Sequence, residues 1–232
     1  MFDRKLFKEK GKAAFKANYW PSVLVALILS IVTGLFTGGS GSSAKNEVQS
    51  NGFPQELSDN PEVLAVILAI VFGVFLVIGI ICALFKIFVL NPLAQGCDTF
   101  FLRNADDPTT KVGTIKEGFN PYLRNVKALF RRDFFVFLWS LLFIIPGIIK
   151  AIEYKLVPYI LAENPEMTGK EAMERSKQLM TGHKWEAFVM DLSFLGWILV
   201  GCLTLGIALV FYVEPYMECT YVEMYKGLKE AA

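Results

Sequence analysis

The chain has 232 residues, of which 54% are hydrophobic, 14% aromatic and only 19% charged, with a mean hydropathy of +0.44. That composition excludes an ordinary soluble domain, where about a quarter of residues are charged, and the net charge of +1 excludes a global pull toward nucleic acid. The four cysteines, Cys82, Cys97, Cys202 and Cys219, stand singly in or beside apolar segments, a pattern of buried thiols and not of a zinc site or disulfide framework.

Residues 1–20 interleave Arg4, Lys5, Lys8, Lys10, Lys12 and Lys16 with Phe2, Leu6, Phe7 and Phe15, and end on Tyr19-Trp20. They predict a basic amphipathic helix on cytoplasmic headgroups, with Trp20 as an interfacial anchor. Pro21 suits the first turn of a following helix, and residues 21–37 form a first span. A signal peptide cut near Ser42-Ser43-Ala44 is the competing reading, but a basic amphipathic stretch of twenty residues is a long lead for one. Residues 38–62 contain one basic residue, Lys45, and so form an outer loop. Residues 63–90 are a second span that Asn91-Pro92 kinks or ends. Segment 91–132 carries Arg103, Lys111, Lys116, Arg124, Lys127, Arg131 and Arg132, and is cytoplasmic.

Residues 133–163 are the topological hinge of the chain. One straight helix would be about 45 Å long against a hydrocarbon core of about 30 Å. Split at Pro146-Gly147, the stretch makes two short spans, 133–146 and 147–163. The charge rule favours the split, because Lys170, Arg175, Lys177 and Lys184 then lie inside, in segment 164–185. That segment predicts a helix with a capping box at Thr168-Gly169-Lys170-Glu171, a Gly182 stop, and one face formed by Ala172, Met173, Ser176, Leu179 and Met180. Trp185 anchors the next span, and residues 186–202 and 206–225 make a third hairpin. The fold class is therefore an all-α polytopic transmembrane bundle: six spans as three helical hairpins, both termini cytoplasmic, with residues 21–232 a single membrane domain. Each hairpin's second helix has a proline beside a polar or aromatic residue: Asn91-Pro92, Pro158-Tyr159 and Glu214-Pro215-Tyr216.

The run from Pro146 to Trp197, the PYMECTYVEMY segment, the opening NYWP and the NPL…GCDTFFLR segment resemble the DUF975 family of uncharacterised bacterial integral membrane proteins, over essentially the whole chain. The helix-Pro-Gly-helix arrangement is more distantly similar to the membrane domain attached to some glycerophosphodiester phosphodiesterases, whose catalytic domain this chain does not have. The resemblance implies a multi-pass protein of the bacterial cytoplasmic membrane and brings no activity with it.

Ionisable residues inside spans are expensive and so are functional candidates by default. They are Lys150, Glu153, Lys155, Asp191, Glu214 and Glu218. Lys150 and Glu153 share a helical face and can neutralise each other, whereas Lys155 needs another partner, for example Glu214. Pro158 and Pro215 would free the carbonyls of Tyr154 and Phe211, and a free carbonyl beside a carboxylate is material for a cation or proton site. The single histidine, His183, reads as an interfacial or helix-capping residue. No HExxH, GxSxG or Walker loop is present, so neither catalytic residues nor cofactors nor a metal are expected. Three readings follow: a non-enzymatic protein acting through membrane lipids, a membrane-protein partner or a second copy of itself; a small transporter or channel component using the intramembrane carboxylates; and a membrane-embedded lipid-modifying enzyme.

Overall fold

Asp3 opens the first helix, α1 (Arg4–Ala17), because its carboxylate accepts the free N–H groups of Lys5 and Leu6 at 2.9 and 3.2 Å. The computed structural model describes residues 2–34, 61–204 and 206–232. The expected cleavage site and the outer loop up to residue 60 lie outside the described residues, which are helical wherever they are regular. After α1 come α2 (Tyr19–Gly34), α3 (Pro61–Phe85) and a π-helical turn (Lys86–Leu90) that runs straight into α4 (Asn91–Asn104). A 3-10 segment (Val112–Phe119) leads to α5 (Tyr122–Leu142), α6 (Ile144–Glu153), α7 (Val157–Glu163), α8 (Gly169–Met180) and α9 (Lys184–Leu203). A second π-helical turn (Leu209–Val213) continues into α10 (Glu214–Glu230).

The helix that begins as α3 does not stop at Asn91-Pro92. The π turn shifts the Asn91 N–H to the carbonyl of Lys86, five residues back, and the wider turn accommodates the proline ring. Its continuation, α4, is the centre of the molecule. Cys97, Phe100 and Phe101 are fully buried there, and α2, α5, α7, α10 and the 3-10 segment all pack on it.

The chain reverses within residues 133–163, three residues earlier than Pro146. Phe143 is extended (φ −155°, ψ 143°) between α5 and α6, and its N–H ends α5 on the carbonyl of Trp139. Pro146 falls in the first turn of α6, where a missing N–H costs no hydrogen bond. The two arms are in close contact, because a Cβ on Gly147 would lie 2.7 Å from Ser140 Cα. Arg124, near the start of α5, donates to the carbonyls of Asn164 (2.7 Å) and Leu161 (3.0 Å), so the chain returns to where it set out. The returning arm is not one helix: it breaks at residues 154–156, and Pro158 begins a new helix, α7. A second reversal joins α9 to the second π turn through Gly206 (φ +87°). Across it Trp197 meets Tyr212 at 5.4 Å between ring centroids and Phe194 meets Tyr216 at 5.4 Å.

The buried face of α8 is Ala172, Met173, Ser176, Leu179 and Met180, as its periodicity predicts, and the Thr168–Glu171 capping box is formed. The apolar face of α1, expected against lipid, is covered by α10 instead. Phe7 and Phe15 are buried, and Gly11 lies so close to Thr220 that an added Cβ would sit 2.7 Å from its Cα.

Apolar side chains are left uncovered in three places. From Ala65 to Phe85 every residue of α3 is exposed. The α5–α6 tip exposes Phe137, Leu141, Phe143 and Ile144, and the α9 tip exposes Leu199, Leu203 and Ile207. Among the described residues one helix, Ala65–Asn104, is long and apolar enough to cross a membrane, and its most apolar part is wholly unburied. Cys82 on that helix is exposed, unlike the buried Cys97 and Cys219.

Candidate functional site

The six ionisable residues expected inside spans fall into three separate groups. In the first, Glu153 is 2% exposed and receives Lys150 Nζ on both carboxylate oxygens at 3.1 Å, and Lys184 Nζ at 3.0 Å. The predicted Lys150–Glu153 pair is thus present, with a third member supplied from the first residue of α9. Ser176 ties α8 to the same place by donating to the Glu153 backbone carbonyl at 2.7 Å.

In the second group, Lys155 reaches Asp191 at 2.5 Å and sits 3.6 Å above the ring of Tyr221. The expected partner, Glu214, is not used. The break at residues 154–156 takes Lys155 out of the line of α6 and toward α9. Tyr159 donates to Glu218 at 3.2 Å. Glu218 and Arg132 both act electrostatically, with opposite sign, on Asp98 of α4, which has neither a hydrogen bond nor an ion pair of its own among the described residues. Beside it on the same helix, Gln95 donates to the carbonyl of Pro158 at 2.8 Å, while its own carbonyl oxygen is buried without a partner. In the third group, Glu214 faces α2 and accepts from the hydroxyl of Ser30.

The carbonyls that prolines should free are occupied. Tyr19 donates to Phe211 O at 3.3 Å, beneath Pro215. Tyr154 O accepts the N–H of Val157 at 3.3 Å, because Pro158 starts a helix instead of interrupting one. Each carbonyl thus has one internal donor. Among the described residues no three His, Cys, Asp or Glu side chains lie close enough to hold a metal.

Asp98 and Gln95 were hidden in a segment whose flanking arginines and lysines marked it as cytoplasmic. The signal was the spacing Asn91, Gln95, Asp98: positions i, i+4 and i+7 on an otherwise apolar helix. The three residues expected at the interface are placed differently from these. Trp20 and Trp185 are 67% and 72% exposed. His183 precedes α9, with its ring nitrogen 2.7 Å from Glu186 and its face stacked on Phe2.

A family model described as a protein of unknown function (DUF975) matches residues 61–232, which takes in α3 to α10 and every polar group above except Tyr19, Trp20 and Ser30. The chain belongs to the DUF975 family. In this DUF975 chain the unmatched part is α1 and α2, the helices that cover α10 and α4. No curated protein and no solved structure is detectably similar to it.

Proposed function

We propose that this DUF975 protein is a multi-pass component of the bacterial cytoplasmic membrane, with both termini inside, that acts through lipid and protein partners and not by catalysis. The observation that carries this is the uncovered apolar surface. A twenty-one-residue stretch of α3 without one buried side chain, with two bare apolar hairpin tips, is unstable in water and at home in hydrocarbon. The polar groups support the partner reading, since Lys150, Glu153, Lys155, Asp191, Glu214 and Glu218 are each neutralised or hydrogen-bonded within the protein. Paired charges of this kind lock helices together and leave no open coordination site.

A second reading, a transporter or channel component, rests on Asp98. A half-buried carboxylate on the central helix, with no hydrogen bond or ion pair among the described residues and in the fields of both Glu218 and Arg132, supports this reading.

The test combines extraction with labelling. The chain should stay in the membrane pellet after alkaline carbonate. A cysteine at exposed Gln178 of α8, with Cys82 and Cys202 replaced by alanine, should react with an impermeant thiol reagent only after the cells are opened. Labelling in intact cells would overturn the inside placement of α8, and release by carbonate would overturn the membrane reading altogether.

A further inference from the structure

Between α5 and α8 runs an open groove of about 1080 Å³. It follows from the two helix sequences. On α5 the residues Arg124, Lys127 and Arg131 recur at i, i+3 and i+7, and on α8 Lys170 and Lys177 are seven apart, so each set shares one helical face. The helices meet where Gly169 touches Ala128, and the two cationic faces look at each other across the gap. Glu174 is the one acidic side chain in the lining.

Arg124 is half-buried and the other four cations are exposed. Lys150, Lys155 and Lys184 all have carboxylate partners, whereas no ion pair is made by Arg124, Lys127, Arg131, Lys170 or Lys177 among the described residues. Arg124 donates to the Asn164 and Leu161 carbonyls and to the Asn125 side-chain oxygen, and lies in the field of Glu166. The groove is not uniformly polar. Past Arg131 its wall becomes Phe130, Phe134 and Phe135. The exposed face of α5 then continues through Phe137 and Leu141 to the hairpin tip.

We infer that this groove holds an acidic phospholipid. The headgroup phosphate lies among the lysines and arginines, and the acyl chains follow the phenylalanines toward the apolar tip. The inference rests on the membrane reading above. Cations clustered where a helix leaves a membrane attract anionic lipid, and arginine and lysine supply the charge-assisted donors that a phosphodiester accepts. A soluble phosphate would use the cations and leave the phenylalanines idle. The volume also exceeds what an inorganic anion fills.

The experiment uses the full-length chain in a neutral detergent, titrated with fluorescent phosphatidylglycerol and, separately, fluorescent phosphatidylcholine. Inorganic phosphate and glycerol 1-phosphate serve as competitors. Saturable binding with at least a tenfold preference for phosphatidylglycerol is expected. Each charge near an anionic lipid is worth about fivefold in binding, so the triple variant Lys127→Gln, Lys170→Gln, Lys177→Gln should lose at least tenfold. The control Lys5→Gln, Lys12→Gln, Lys16→Gln removes the same charge from exposed positions of α1 and should lose less than threefold. The arginine versions of the three groove substitutions should retain binding. Equal losses in groove and control variants would show that only net charge matters and would overturn the site. Displacement by glycerol 1-phosphate at the lipid's own concentration would overturn the lipid as occupant in favour of a soluble phosphate. If the glutamine variant fails to fold, the preference and competition measured on the unmodified chain decide. A chain that resists carbonate extraction yet shows no phosphatidylglycerol preference would sink the groove alone. One that is released by carbonate would sink the membrane reading.

Discussion

The hydroxyl of Tyr122 donates a 2.7 Å hydrogen bond to the carbonyl of Phe88, the carbonyl that Pro92 cannot serve. Tyr19 does the same for Phe211 beneath Pro215, at 3.3 Å. In both places a five-residue π turn precedes the proline: Lys86–Leu90 before Asn91-Pro92, and Leu209–Val213 before Glu214-Pro215. The two helices therefore solve the same backbone problem in the same way, with a widened turn and a tyrosine brought from elsewhere in the chain. In hydrocarbon no water can take a freed carbonyl, so such a group needs an internal donor.

Tyr122→Phe should lower stability by about 1 kcal/mol, the net worth of a single hydrogen bond. Replacing Pro92 by alanine restores an N–H for the Phe88 carbonyl, so in that background the loss of the hydroxyl should cost almost nothing. Melting of the four proteins in detergent forms the cycle. The same cost in both backgrounds would mean that the tyrosine acts by packing and not as a carbonyl cap.

Glu153→Gln should be among the most damaging single substitutions in the chain. It leaves Lys150 and Lys184 facing a neutral amide at a site that is 2% exposed on the acidic side. Breaking a buried pair from one side costs about 3 kcal/mol, lessened here because Lys184 is partly in solvent. Glu117→Gln, which breaks the exposed Arg103–Glu117 pair, should cost under about 1 kcal/mol. Comparable losses in the two variants by thermal denaturation would count against a structural role for the Glu153 cluster.

Asp98→Asn should raise the melting temperature. The half-buried carboxylate has no hydrogen-bond donor among the described residues, and repulsion from Glu218 outweighs the attraction of Arg132, so a neutral amide of the same shape removes a cost of about 1–3 kcal/mol. A variant that is more stable but loses function in a deletion-complementation assay would favour the transporter reading, because strain of this kind is retained where it is used. A destabilised variant would show that Asp98 has a role in packing.

The Glu171 carboxyl is held below the ordinary glutamate value by the Thr168 N–H and hydroxyl of the capping box. A carboxylate whose folded value is depressed contributes stability above its unfolded value, about 4.3, and loses it as pH falls through the folded value. The melting temperatures of the native chain and Glu171→Gln should therefore differ above about pH 5 and converge by about pH 3. A constant difference across that range would mean that the box does not titrate with folding.

Periodicity and charge were enough to mark the elements that are decided locally. The buried face of α8, its capping box and the Lys150–Glu153 pair involve residues three or four apart, and such neighbours are set by the helix itself. The reversal in residues 133–163 was also legible, because two arginines, a long apolar run and a basic exit constrain where the chain can go. Its position at Phe143 was not. Proline is compatible with the first turn of a helix as well as with a turn between helices, and composition cannot separate the two.

What the sequence alone determined, then, is that this is a helical chain with more apolar surface than water can tolerate, because composition and the 3.6-residue period are properties of each segment by itself. Only the tertiary structure decided which long-range partner each polar group meets. It gave Lys155 to Asp191 and not Glu214, turned the segment after Asn91 into the central helix, and brought Tyr19 and Tyr122 to the carbonyls that two prolines leave open. Those pairings depend on how helices distant in sequence cross, and a few degrees of rotation at a π turn or a helix break changes which side chain faces which.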